Sequence, residues 1–355
     1  MVYPENFEQK IGFDRIRKML VSNCLSEMGK ENVDSVVFKS NFSHISTLLG
    51  EVTEFDKILQ SEKPFPVDHY HNLIPVLRKI RVEGMFLDVQ ELFEMRLSLD
   101  IIKAVLSYFR EDEENEYPLL RKKSREVKMY PFVLDAINKI LTTRGKIKDN
   151  ASRDLSATRK KLKEKISRVS SRMQSILKKA REDGIVDEGT ELSVRGGRMV
   201  IPVRSSDKRR ISGLVHDESA TGKTSFIEPS DIVEMNNEIK ELEYAEKREI
   251  IKILIAFSDS IRPYLDEIEY SYDFLGEIDL IRAKAILAGK IGAIQPKITE
   301  DREVLWEKAI HPLLFLNFQN SGKKVVPLDI VLSREKHILL ISGPNAGGKS
   351  VCLQT

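Results

Sequence analysis

Between residues 155 and 180 the apolar side chains fall at Leu155, Leu162, Ile166, Val169, Met173, Ile176 and Ala180. After a first interval of seven, the spacing alternates four and three. That period belongs to a long helix with one stripe committed to a partner. The same stretch is strongly basic, since residues 144–181 hold 14 Lys and Arg against 3 Asp and Glu. A candidate partner follows in "DIVEMNNEIKELEYAEKREIIKILIAFSDSIRPYL", where Asp231 with Glu234 makes an N-terminal cap. Ile232, Met235, Ile239 and Leu242 share one face, and the seam resumes at Ile250, Ile253, Leu254, Phe257 and Ile261. Residues 228–249 carry 8 acidic and 3 basic side chains. Antiparallel pairing of the two helices buries both seams and sets opposite charges across the interface.

What lies between the helices has a different period. "TELSVRGGRMVIPVRSSDKRRISGLVHDESATGKTSFIEP" alternates short Val- and Ile-rich runs with Gly-Gly, Ser-Ser-Asp and Ala-Thr-Gly turns. It reads as about four antiparallel strands over 191–228. Arg195, Arg198, Arg204, Lys208, Arg209, Arg210 and Lys223 crowd into this module. They are candidate contacts to a phosphate backbone, blind to base sequence. Lys and Arg also protect exposed strand edges, which is the ordinary reason for them. On the basic helix, most charges are expected to be a solvated face that pairs with the acidic helix.

The first 142 residues read as successive helices. "SHISTLLGEVTEFDKIL" puts Ile45, Leu48, Leu49, Val52, Phe55, Ile58 and Leu59 on one stripe, and Asp88 with Glu91 caps a later helix. At 355 residues the chain exceeds one ordinary core, so two or three domains are expected. Cys24 and Cys352 cannot build a disulfide framework, no apolar run is long enough for a bilayer, and no signal peptide opens the chain. These features point to a cytoplasmic protein. The histidines show no metal-ligand spacing with either cysteine.

Near the end, Gly343, Pro344, Asn345, Ala346, Gly347, Gly348, Lys349 and Ser350 spell G-x-x-x-x-G-K-S. The glycines let backbone N–H groups wrap phosphate oxygens without a Cβ in the way. Lys349 is expected at the β and γ phosphates of ATP, and Ser350 offers a hydroxyl to Mg²⁺. "KHILLIS" upstream is expected as a buried parallel strand, and "GKSVCLQT" as a helix start with its dipole toward the anion. Hydrolysis further requires an acidic strand end and a water-positioning residue, both expected beyond Thr355, so no catalytic residue is assigned here.

These stretches resemble the MutS family. "GPNAGGKS" is similar to the family's Gly-Pro-Asn-x-Gly-Gly-Lys-[Ser/Thr] loop, and "HPLL" at 311–314 to the motif that opens its ATPase domain. "GLVHDESATGKTSFIEPSDIVEMNNEI" looks like the clamp segment of one branch, the second bacterial MutS paralogue. The resemblance implies a multidomain, mainly α fold ending in the start of an α/β P-loop ATPase domain. Its parts are a helical core over 1–143, an outgoing lever helix over 144–184 and a β clamp over 185–229. A return lever with core follows over 230–290, and the incomplete ATPase domain over 291–355. It implies a homodimeric ATPase acting on branched or recombination-intermediate DNA to suppress homologous recombination. A C-terminal nuclease domain beyond this stretch is implied as well, and this chain alone is then expected not to hydrolyse ATP. In some members the implied ligand is instead a collided ribosome and its rRNA.

Overall fold

The computed structural model describes residues 6–355 apart from 69, 113, 302, 320, 321 and 344–347. Its leading helices are α1 (Phe7–Ile11), α2 (Phe13–Asn23), α3 (Glu27–Asp34), α4 (Phe42–Gln60), α5 (Ile74–Lys79), α6 (Val89–Arg110), α7 (Pro118–Arg125) and α8 (Pro131–Ile140). The long helix α9 (Arg153–Glu182) leads into β1 (Ser193–Arg195), β2 (Arg198–Arg204), β3 (Gly213–Glu218) and β4 (Thr224–Pro229). Then come α10 (Ser230–Ile261), α11 (Leu265–Ile291), β5 (Val304–Ala309), α12 (Pro312–Gln319), β6 (Leu328–Leu332) and α13 (Lys349–Gln354). The chain is mainly helical with small antiparallel sheets. Among the described residues no helix is long and apolar enough to cross a membrane.

The chain divides into two compact units, one of Met1–Val82, Glu91–Leu134 and Arg262–Thr355, the other of Glu83–Gln90 and Asp135–Ile261. The first is organised on α11, which packs against α2, α3, α4 and α5. Leu265, Ile268, Tyr272, Leu275, Ile278 and Ile281 are all buried, as suits a helix that is apolar on most sides. Its fully buried Asp279 accepts from the Leu25 and Ser26 amides and from the Ser26 hydroxyl at 2.9–3.0 Å, anchoring the start of α3. On α4, Phe55 and Ile58 are buried as the stripe requires, while Leu59 is exposed. Two acids are buried on the same helix, and Glu54 is held by the Leu119 and Leu120 amides at the start of α7.

In the second unit the four strands form an antiparallel sheet in the order β1-β2-β4-β3. Gly196 and Gly197 both have left-handed φ, 55° and 74°, as a two-residue hairpin between β1 and β2 demands. Ile201 and Val203 of β2 and Ile227 of β4 pack with Val169, Met173, Leu177 and Ala180 of α9 and with Ile232 and Ile239 of α10. β3 is an edge strand, as is β1, and it is exposed along its whole length.

Helices α9 and α10 run antiparallel. Arg159 pairs with Glu246, Lys165 with Glu238 and Arg172 with Asp231, so partners descend on α10 as they ascend on α9. The seam itself differs from the expected one at two places. Ile166 is 44% exposed, and Leu177, outside the heptad pattern, is 1% exposed. A straight helix has 3.6 residues per turn and drifts away from a strict seam. Towards its C-terminal end α9 also meets the sheet as a second wall, and Leu177 packs there with Ile201 and Ile227.

A second expectation is corrected in the final segment. Residues 336–342 form no strand, and Ile338, Leu339 and Leu340 are 82%, 49% and 88% exposed. A buried parallel strand needs neighbours for its amides and carbonyls. Among the described residues the segment pairs with no strand, and the β5–β6 ladder contains only those two strands.

Candidate functional site

The terminal loop is described at its two ends. Pro344, Asn345, Ala346 and Gly347 lie outside the described residues. Gly343 has φ 148° and Gly348 φ 86°, both on the side of the map that glycine alone adopts freely. Gly348 is the N-cap of α13, and no side chain caps that helix. The Cys352 amide returns to the Gly348 carbonyl at 2.9 Å, so the helix begins at Lys349. Ser350 is exposed. An uncapped helix start, a lysine and an exposed hydroxyl fit a magnesium-bound polyphosphate: the amides and Lys349 carry donors and positive charge, and Ser350 carries an oxygen.

The cations of the β unit are arranged differently from a bare basic patch. The Arg195 guanidinium lies 4.0 Å over the Phe226 ring and pairs with Asp217 at 3.3 Å. Arg198 donates to both Glu228 oxygens at 2.9 and 3.0 Å, and to Asn237 at 2.6 Å. Arg204 pairs with Asp187 at 2.6 Å, a hydrogen bond that raises the guanidinium pKa further. Lys208 pairs with Glu218 at 3.3 Å, and Arg210 reaches both Asp207 and the Asp183 carbonyl. Arg209 and Lys223 are exposed and have no ion pair among the described residues. Strand order sets Arg198 of β2 beside Glu228 of the neighbouring β4, while Arg204 and Arg210 reach back to Asp187 and to the Asp183 carbonyl after α9.

The residue that sequence reasoning missed is Glu228. Its side chain is fully buried and takes donors from Asn236, His216 and Arg198 together. Burial pushes its pKa up, but these three hydrogen bonds outweigh it and hold the carboxyl below the usual glutamate value. The available signal was an acid set beside the apolar pair Phe226-Ile227 in a run that otherwise reads as a buried strand.

No family model matches the chain. It is 30% identical over 344 residues to the protein named Endonuclease MutS2 of Alkaliphilus oremlandii (strain OhILAs), covering 97% of this chain and 42% of that protein. The Endonuclease MutS2 of Clostridium botulinum (strain Alaska E43 / Type E3) is 33% identical over 344 residues, with the same coverage of both chains. That of Clostridioides difficile (strain 630) is 28% identical over 345 residues, 97% of this chain and 43% of the relative. The chain therefore spans less than half the length of these relatives. Over nearly its whole length, it is related by sequence to the MutS2 proteins.

Proposed function

We propose that this chain is the nucleotide- and nucleic-acid-binding part of a MutS2-type protein whose whole form is an ATPase acting on branched or recombination-intermediate DNA. The observation that carries the reading is a G-x-x-x-x-G-K-S loop in a chain 30% identical, over 97% of its length, to a protein named for a MutS2 endonuclease. Homodimerisation, nuclease action and suppression of recombination belong, in this reading, to the whole protein.

At the loop, bound ATP with Mg²⁺ supplies the charge that the rest of the site answers. Lys349 neutralises phosphate oxygens, Ser350 offers a metal ligand, and the first amides of α13 donate to the anion. Helices α9 and α10 serve as levers between that event and the β unit, whose unpaired Arg209 and Lys223 meet the nucleic acid.

Equilibrium binding of labelled ATP with Mg²⁺ to the 355-residue chain tests the site. Lys349→Ala is expected to weaken binding about tenfold or more, as loss of a charge-assisted contact does, with unchanged circular dichroism. Equal affinity in the two proteins would remove the nucleotide site from the account. Binding of four-way DNA junctions and of collided ribosomes at matched salt tests the ligand, and a clear preference for ribosomes would replace the DNA reading.

A further inference from the structure

The paired state of the β-unit cations contrasts with α9. There Arg153, Lys160, Lys161, Lys163, Arg168 and Lys179 are all exposed and make no ion pair or side-chain hydrogen bond among the described residues. Helical spacing sorts them. Lys160 and Lys163, three apart, lie on one flank; Lys161, Arg168 and Lys179, at intervals of seven and eleven, lie on the other. The buried seam of Leu155, Val169, Met173, Leu177 and Ala180 takes the opposite side of the helix. The ridge between the flanks carries Ala157, Ser171 and Ser175, with two acids, Glu164 near its middle and Glu182 at its end.

From this arrangement we infer that the outward face of α9 is a duplex-DNA contact, lying along the major groove with its two flanks on opposite phosphate walls. The inference rests on the nucleic-acid reading above and locates its main contact away from the β unit. A guanidinium already held by a carboxylate must surrender that partner to reach a phosphate, whereas an unpaired one only releases counterions. From Lys160 to Arg168 the helix rises about 12 Å, a length that a straight helix shares with the groove before it winds away. A helix about 10–12 Å across fits a major groove about 12 Å wide, while the major groove of duplex RNA is too narrow for it. Contacts of this kind are indifferent to base sequence.

The test is fluorescence anisotropy of the 355-residue chain with a 20-base-pair labelled DNA duplex, and with RNA of the same length, across a salt series. Replacing Lys160, Lys161, Lys163 and Arg168 by Ala together is expected to flatten the slope of log affinity against log salt by about 3–4, roughly 0.9 for each phosphate contact. Arg209→Ala with Lys223→Ala is expected to flatten it by no more than about 2. Glu164→Gln is expected to tighten binding, because it removes a negative charge from the groove-facing ridge. All these side chains are exposed, so an unchanged melting curve verifies that each variant is folded. A wild-type slope in the α9 variant, with duplex binding intact, overturns this inference and leaves the nucleic-acid reading standing. Absence of duplex binding by the unmodified chain overturns both, and tighter binding of the RNA duplex overturns the groove assignment.

Discussion

The Glu228 carboxyl is enclosed by β2, β3 and α10, with Asn236 Nδ2 at 2.6 Å, His216 Nε2 at 2.5 Å and Arg198 Nη1 at 2.9 Å. One side chain thus ties the exposed edge strand β3 and the start of α10 to the middle of the sheet. Removing its charge leaves the half-buried Arg198 unmatched, and Glu228→Gln is expected to cost about 3 kcal/mol. Hydrogen-exchange protection in β2 and β4 is the local readout, and unchanged protection would deny the residue this role. The folded-state pKa lies below the ordinary 4.5. The carboxylate's contribution is therefore complete above pH about 4.5 and is lost as pH falls through the lower folded value. The second unit should accordingly lose melting temperature in that acid window, and the Gln variant should lose less there than the unmodified protein. Of this arrangement the sequence shows an acid in an apolar strand, but not its three donors, which lie 8, 12 and 30 residues away.

At the scale of the element, α9 shows how far a repeat can be read. The basic character, the long helix and its apolar stripe are legible because each follows from period and composition along one continuous segment. Which stripe residues bear weight is decided by what stands opposite. Leu177 is walled by the sheet and Ile166 is not. Leu177→Ala is expected to destabilise the second unit by about 2–5 kcal/mol, as for other buried leucines. Ile166→Ala is expected to stay within about 1 kcal/mol. Urea unfolding of both variants checks the pair, and comparable losses would restore the strict heptad seam. The apolar run at 338–340 marks the opposite limit. Its composition reads as a buried strand, yet among the described residues no strand pairs with it, and its side chains stay exposed.

For the molecule as a whole, the relevant division is between two compact units. The second contains nearly all of its sheet and long-helix packing within Asp135–Ile261. The excised segment 135–261 is expected to remain helical and to keep exchange protection in β2, β4 and the C-terminal half of α9. Its far end should weaken, because the buried Leu87, whose amide bonds the Ser258 hydroxyl at 3.1 Å, is then missing. A segment that lacks protection throughout would show that the unit depends on the rest of the chain.

The sequence by itself determined the order of helices and strands in the second unit, the opposed charge of its long helices, the hairpin glycines and the G-x-x-x-x-G-K-S signature. All of these are local patterns, set by side-chain period and backbone freedom within a few turns of chain. Tertiary structure alone decided which cations are neutralised and which stay unpaired. Arg198 and Glu228, 30 residues apart, meet because β2 and β4 are neighbours, whereas Lys160 and Lys163 are exposed and make no ion pair among the described residues. Charge pairing depends on distances of a few ångströms between remote segments, and no spacing rule along the chain encodes such a distance.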